Sequence, residues 1–112
     1  MAFLPEKNFL EETIISGYSL SNGVTAFTSS DVSRYTTISL QFVYNNINGN
    51  TEFCLEQSND NINWGLLSEN YSIPIGSGNF TIDKGMFTGK HVRVNLKTSG
   101  VGNLTIKLLA KR

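Results

Sequence analysis

Apolar and polar residues alternate along most of the chain. From Arg34 to Tyr44, Thr36, Ile38, Leu40, Phe42 and Tyr44 fall on one face and Thr37, Ser39, Gln41 and Val43 on the other. A period of two marks a strand with one buried face in an antiparallel sheet. Thr51 to Ser58 repeats it, with Thr51, Phe53, Leu55 and Gln57 opposed to Glu52, Cys54, Glu56 and Ser58. His91 to Lys97 turns Val92, Val94 and Leu96 inward and His91, Arg93, Asn95 and Lys97 outward. Turn-forming clusters separate these runs: Asn45–Asn50, Asn59–Asn61, Gly76–Asn79 and Ser99–Asn103. Asn and Gly tolerate the positive φ that tight reversals need. A short strand is expected around Trp64 to Leu67, and another at Phe80–Ile82. The Ser99–Asn103 turn is expected to close a hairpin onto Leu104, Ile106 and Leu108.

About seven or eight strands at roughly 8–12-residue spacing predict an all-β fold, a single antiparallel β-sandwich of jelly-roll or immunoglobulin-like type. The expected core comprises Ile38, Leu40, Phe42, Phe53, Leu55, Trp64, Leu67, Phe80, Ile82, Val92, Val94, Leu96, Leu104, Ile106 and Leu108. Residues 2–12 lack the alternation and are too short for a stable isolated helix, which needs at least ~12–15 residues. They read as an N-terminal interaction arm carrying Phe3, Leu4, Phe9 and Leu10, so the division is an arm at 1–12 and a sandwich at 13–112.

Composition agrees. Asn, Ser, Thr and Gly make up 45 of 112 residues, charged residues only 16%, and aromatics 11%. This excludes a charged helical bundle and a disordered chain. One cysteine allows no intrachain disulfide, and the N-terminal apolar stretch stops at Pro5-Glu6, short of the roughly 7–15 apolar residues of a signal peptide. Synthesis in a reducing cytoplasm is expected. No run reaches the ~18 apolar residues of a membrane helix, and a formal charge of zero argues against a nucleic-acid partner. The charge is unevenly divided all the same. Residues 1–83 hold all nine acids against Lys7 and Arg34, and residues 84–112 hold seven bases and no acid. If Glu52 and Glu56 face Arg93 and Lys97 across adjacent strands, these charges cancel within one sheet. If the strands lie in different sheets, the molecule has an acidic and a basic side that could make electrostatic contacts with other subunits.

No catalytic constellation emerges. The one Cys and one His, Cys54 and His91, could meet only if their strands are neighbours, and no third group completes a triad. No cluster has zinc-ligand spacing. The loop opening at Asn59 lacks the sixth-position Gly and the twelfth-position Glu of a calcium loop, so it reads as an Asx-rich turn. Gly76-Ser77-Gly78 precedes a strand rather than a helix, which excludes a phosphate loop. No catalytic residue, metal or cofactor is expected, and the chain reads as a non-enzyme. Two binding modes remain: sugar stacking on Tyr35, Trp64 and Tyr71, or assembly into a larger particle.

The stretch Phe53-Cys-Leu-Glu-Gln-Ser-Asn-Asp-Asn-Ile-Asn-Trp64, with Lys90-His-Val-Arg-Val-Asn-Leu96 and Gly102-Asn-Leu-Thr-Ile-Lys-Leu108, resembles small all-β bacteriophage virion proteins of the head-decoration or auxiliary-capsid type. The resemblance spans roughly residues 31–110. It implies a structural component of a virion, bound in many copies to the major capsid protein or other virion subunits, with no catalytic residue to carry over. The alternative is a carbohydrate-binding β-sandwich module, for example one associated with a tail.

Overall fold

The computed structural model describes residues 9–85 and 88–112. Its strands are β1 (Phe9–Leu20), β2 (Gly23–Thr28), β3 (Thr37–Ile47), β4 (Thr51–Ser58), β5 (Gly65–Leu66), β6 (Tyr71–Ile73), β7 (Gly76–Lys84), β8 (His91–Thr98) and β9 (Gly102–Lys111). One sheet has the order β1-β9-β3-β7, and the other β2-β8-β4-β5 with β6 also on β4. β5 and β6 lie end to end on one edge of β4, pairing with Glu56–Gln57 and Thr51–Phe53 respectively. All described pairings are antiparallel. Apart from β4 to β5 to β6, each step along the chain passes from one sheet to the other. This is the jelly roll, so the sandwich is of that type and not immunoglobulin-like.

Alternation dictates the core. Ile38, Leu40, Phe42 and Tyr44 of β3 interleave with Phe53 and Leu55 of β4, Val92, Val94 and Leu96 of β8, and Leu104, Ile106, Leu108 and Ala110 of β9. Phe42 stacks on Phe53 at 4.5 Å between centroids and on Phe80 at 5.0 Å. Leu20, Phe27, Val32, Ile47 and Ile73 are buried as well, from segments with no long alternation. Thr51 and Thr98 bring hydroxyls into this interior and bond each other at 2.7 Å. That pairing removes the cost of burying either alone.

Four sequence expectations are corrected. Ser99–Asn103 closes no hairpin: β8 and β9 belong to different sheets, so the segment is an arch between them. The β3–β4 connection is a second arch, and the two cross at Gly49 and Gly100. Asn48 N donates to Val101 O at 3.1 Å and Ser99 N to Asn50 O at 2.9 Å. Asn50 N donates to Ser99 Oγ at 3.1 Å and Val101 N to Asn48 Oδ1 at 3.0 Å. A Cβ at Gly100 would come within 2.6 Å of Gly49 backbone. Gly76–Asn79 is strand rather than turn, because Gly78 lies opposite Tyr44 and leaves space for the tyrosine ring. Asn45–Asn46 carries an irregularity in β3, with Asn46 at φ 55°, and β3 continues to the buried Ile47. Residues 9–12, assigned to the arm, already belong to the sandwich: Phe9 and Leu10 of β1 pair with Lys111 and Ala110 of β9. Phe3 and Leu4, the other arm residues, lie outside the described residues.

Candidate functional site

The register of β4 on β8 builds the most organised polar group on the surface. Glu52 lies opposite Lys97, Cys54 opposite Asn95, Glu56 opposite Arg93, and Ser58 opposite His91. The four charged side chains Glu52, Glu56, Arg93 and Lys97 share the outer face of one sheet, so the cross-strand arrangement is the one the protein adopts. Arg93 Nη2 and Nε reach the same Glu56 oxygen at 2.7 and 2.9 Å, and both side chains are partly exposed. Glu52 and Lys97 form no ion pair with each other among the described residues, and they flank a shallow depression of about 140 Å³ with Asn22, Asn50 and Ser99.

Trp64 completes the group from outside. The guanidinium carbon of Arg93 lies 4.2 Å from its ring centroid, in the geometry of a cation–π contact. The turn before it fixes this position. Ser58 Oγ accepts from Asn61 N at 2.9 Å, and Asp60 Oδ1 accepts from Ile62 N and Asn63 N at 2.9 and 2.7 Å. These bonds, with those from Asn63 Nδ2 and Ser58 Oγ, hold the Asp60 carboxyl well below the usual carboxylate range. The chain therefore reverses tightly through Asn61 at φ 61° and returns the indole over β8. The expectation that Trp64 belongs to the core is corrected: it is half-buried on the outer face, because the parity of the short β5 segment is set by the turn rather than by an alternating run.

The three aromatics proposed for sugar stacking do not converge. Tyr71 stacks on Phe53 at 5.4 Å, inside the sandwich. Tyr35 packs against the core from the β2–β3 connection, its amide donating to Val32 O at 3.1 Å. Of the three, Trp64 alone is on the outer face. Cys54 and His91 are on neighbouring strands but four register positions apart, or about 14 Å at the rise of an antiparallel strand. Burial first, then the neighbouring Glu56, pushes the Cys54 thiol up, with Arg93 acting the other way, so it is protonated at neutral pH and is a poor nucleophile.

Residues that escaped the sequence reading share this face. Val24, Ala26 and Thr28 of β2 pair with Lys97, Asn95 and Arg93, Leu66 of β5 with Glu56, and Ser72 of β6 with Glu52. Val24 and Leu66 are 66% and 70% exposed. β2 and β5 are too short to show a period that assigns them to a face, so only the pairing reveals it.

No family model matches the chain, and no curated protein matches its sequence. Its fold is found in solved structures. The SPBc2 prophage-derived protein YomS is similar at a TM-score of 0.65 and 8% identity, over 99% of each chain. The enzymatically active domain of tailspike protein 4 of bacteriophage CBA120 is similar at 0.54 and 15% identity, over 94% of this chain and 19% of that one. A chain of the cowpea mosaic virus top component, a naturally occurring empty particle, is similar at 0.51 and 12% identity, over 96% and 87%. At these identities the likeness is one of fold: this chain is an all-β sandwich, and the similarity to these prophage-derived, phage tailspike and plant-virus chains lies in that architecture.

Proposed function

We propose that the chain is a non-enzymatic structural component of a bacteriophage virion, an auxiliary or decoration protein bound in many copies to the capsid. The observation that carries this reading is the end-to-end likeness to a prophage-derived protein, which extends over 99% of each chain. The surface chemistry supports it. Arg93 and Glu56 neutralise each other, Asp60 is consumed by its own turn, and Cys54 is a protonated thiol. None of these is poised for catalysis. A mixed, Asn-, Ser- and Thr-rich surface suits repeated weak polar contacts between subunits. The carbohydrate-binding reading loses its expected platform, since Tyr35, Trp64 and Tyr71 do not share one surface.

Binding to particles tests the proposal. Purified protein incubated with phage particles lacking it should co-sediment and saturate at a fixed ratio to the major capsid protein. Absence of binding together with retention on a glycan array would replace the virion reading with the carbohydrate one.

A further inference from the structure

We propose that the outer face of the β2-β8-β4-β5/β6 sheet is a self-complementary interface on which two copies of this chain dimerise. The inference stands apart from the virion reading, because it concerns the isolated chain in solution.

The register carries it. Across the sheet the outward residues form two charged rows: Val24–Lys97–Glu52–Ser72, and Thr28–Arg93–Glu56–Leu66. Between them lies a row of small and compact side chains, Ala26, Asn95 and Cys54. In both charged rows β8 supplies the cation and β4 the anion. A twofold axis parallel to the strands and midway between β8 and β4 exchanges these two strands. It therefore lays Lys97 of each copy over Glu52 of the other, while Arg93 and Glu56, already paired within each copy, meet the partner beside the Trp64 indole that covers Arg93. The same operation sets Val24 over Ser72, Leu66 over Thr28, and Cys54 over Asn95. A closed twofold interface must be self-complementary in this way. Here Glu52 and Lys97, which form no ion pair with each other within one copy, each meet the opposite charge of the other copy, and the face also carries the Cys54 thiol in its middle row and His91, opposite Ser58, at its margin.

Two further observations point to a second copy rather than to solvent alone. Glu52 and Lys97 are cross-strand neighbours that form no ion pair with each other among the described residues, so both are available across an interface. Val24 and Leu66, at opposite edges of the face, are large apolar side chains left mostly exposed. Four strand positions at about 4.8 Å spacing, over eight residues at about 3.4 Å, give a face of roughly 500 Å². Two such faces bury about 1,000 Å² in total, near the lower limit for a specific interface. A dimer with a dissociation constant in the micromolar range, weakened by salt, is the expected outcome.

Sedimentation equilibrium on the full chain tests it with a charge-swap design. Lys97→Glu places two like pairs across the interface, and Glu52→Lys does the same with the opposite sign, so each variant alone should dimerise at least tenfold more weakly than the wild type. Mixed in equal amounts they should recover wild-type affinity within a few-fold. In the mixed dimer the carboxylate introduced at position 97 of one copy faces the ammonium introduced at position 52 of the other, and the native Glu52 and Lys97 face each other at the second site. Loss of folding cannot imitate that recovery. Ala26→Arg, at a small exposed position in the middle row of the face, should abolish dimerisation while leaving the circular dichroism spectrum unchanged. A wild-type chain that stays monomeric at about 1 mM, single variants that dimerise like the wild type, a mixture that fails to recover, or an unaffected Ala26→Arg protein would each overturn the proposal.

Discussion

Replacing Gly100 by Ala should be among the most costly single-methyl changes in this protein. The new Cβ would sit 2.6 Å from Gly49 Cα and N. Ordinary carbon contacts lie near 3.5–4.0 Å, so the arches must separate by about 1 Å. The displaced atoms are backbone, with no flexible side chain to swing away. Four hydrogen bonds of 2.9–3.1 Å join Asn48–Asn50 to Ser99–Val101, and a separation of about 1 Å takes each beyond bonding range. At about 1 kcal/mol apiece, the loss is roughly 3–4 kcal/mol, a large part of the ~5–15 kcal/mol available to a domain. Urea unfolding followed by circular dichroism should show a lowered midpoint at unchanged slope. Gly49→Ala should cost a similar amount, and the double variant less than the sum, since both clashes strain one contact. Gly65→Ala, with nothing within 4 Å of its Cβ, should move stability by less than about 0.5 kcal/mol. A Gly100→Ala protein as stable as the wild type would refute the crossing of the two arches.

Other outcomes follow from the same geometry. Phe53→Ala, which removes the ring between Phe42 and Tyr71, should cost about 3–5 kcal/mol by thermal or urea unfolding. Arg93→Ala should cost only about 1–2 kcal/mol, combining a partly exposed ion pair with a cation–π contact. It should also shift Trp64 emission to the red, and an unchanged spectrum would remove Arg93 from the ring. The Asp60 carboxyl is held below the ordinary aspartate range in the folded chain and titrates near pH ~3.9 when unfolded. Its stabilising contribution is therefore fully present above about pH 4 and is lost as the pH falls toward the folded value. Carbon-detected titration should find Asp60 still ionised where an unperturbed aspartate is protonated; a midpoint near ~3.9 would contradict the hydrogen-bonded turn.

Periodicity made the central residues of β3, β4 and β8 legible down to the face of each side chain, while the ends of β3 and β4 departed from it at Ile47 and Ser58, both buried. Each is long enough for alternation to repeat three or four times, and burial on one side leaves no other register. The Glu56–Arg93 pair was legible as a possibility, and only the adjacency of β4 and β8 decided it. The arches were not legible. Ser99-Gly100-Val101-Gly102-Asn103 has the chemistry of any tight reversal, and nothing local distinguishes a turn within one sheet from a step to another. What decides is that Leu104, Ile106 and Leu108 pair with β1 and β3, elements far away along the chain. Trp64 failed for a related reason. A lone aromatic beside a two-residue strand has no parity of its own, and the hydrogen bonds of Ser58 and Asp60 place it instead. Leu20, Phe27, Val32 and Ile73 were passed over because each is the inward member of a segment too short or too irregular to show alternation.

The central claim, that this jelly roll is an assembled structural subunit, is tested most directly by quantitative mass spectrometry of purified phage particles from the strain that encodes the chain. The account predicts that the chain is present at a constant, high copy ratio to the major capsid protein and persists through gradient purification. Particles in which it is absent, or present only at trace levels that vary between preparations, would contradict the claim.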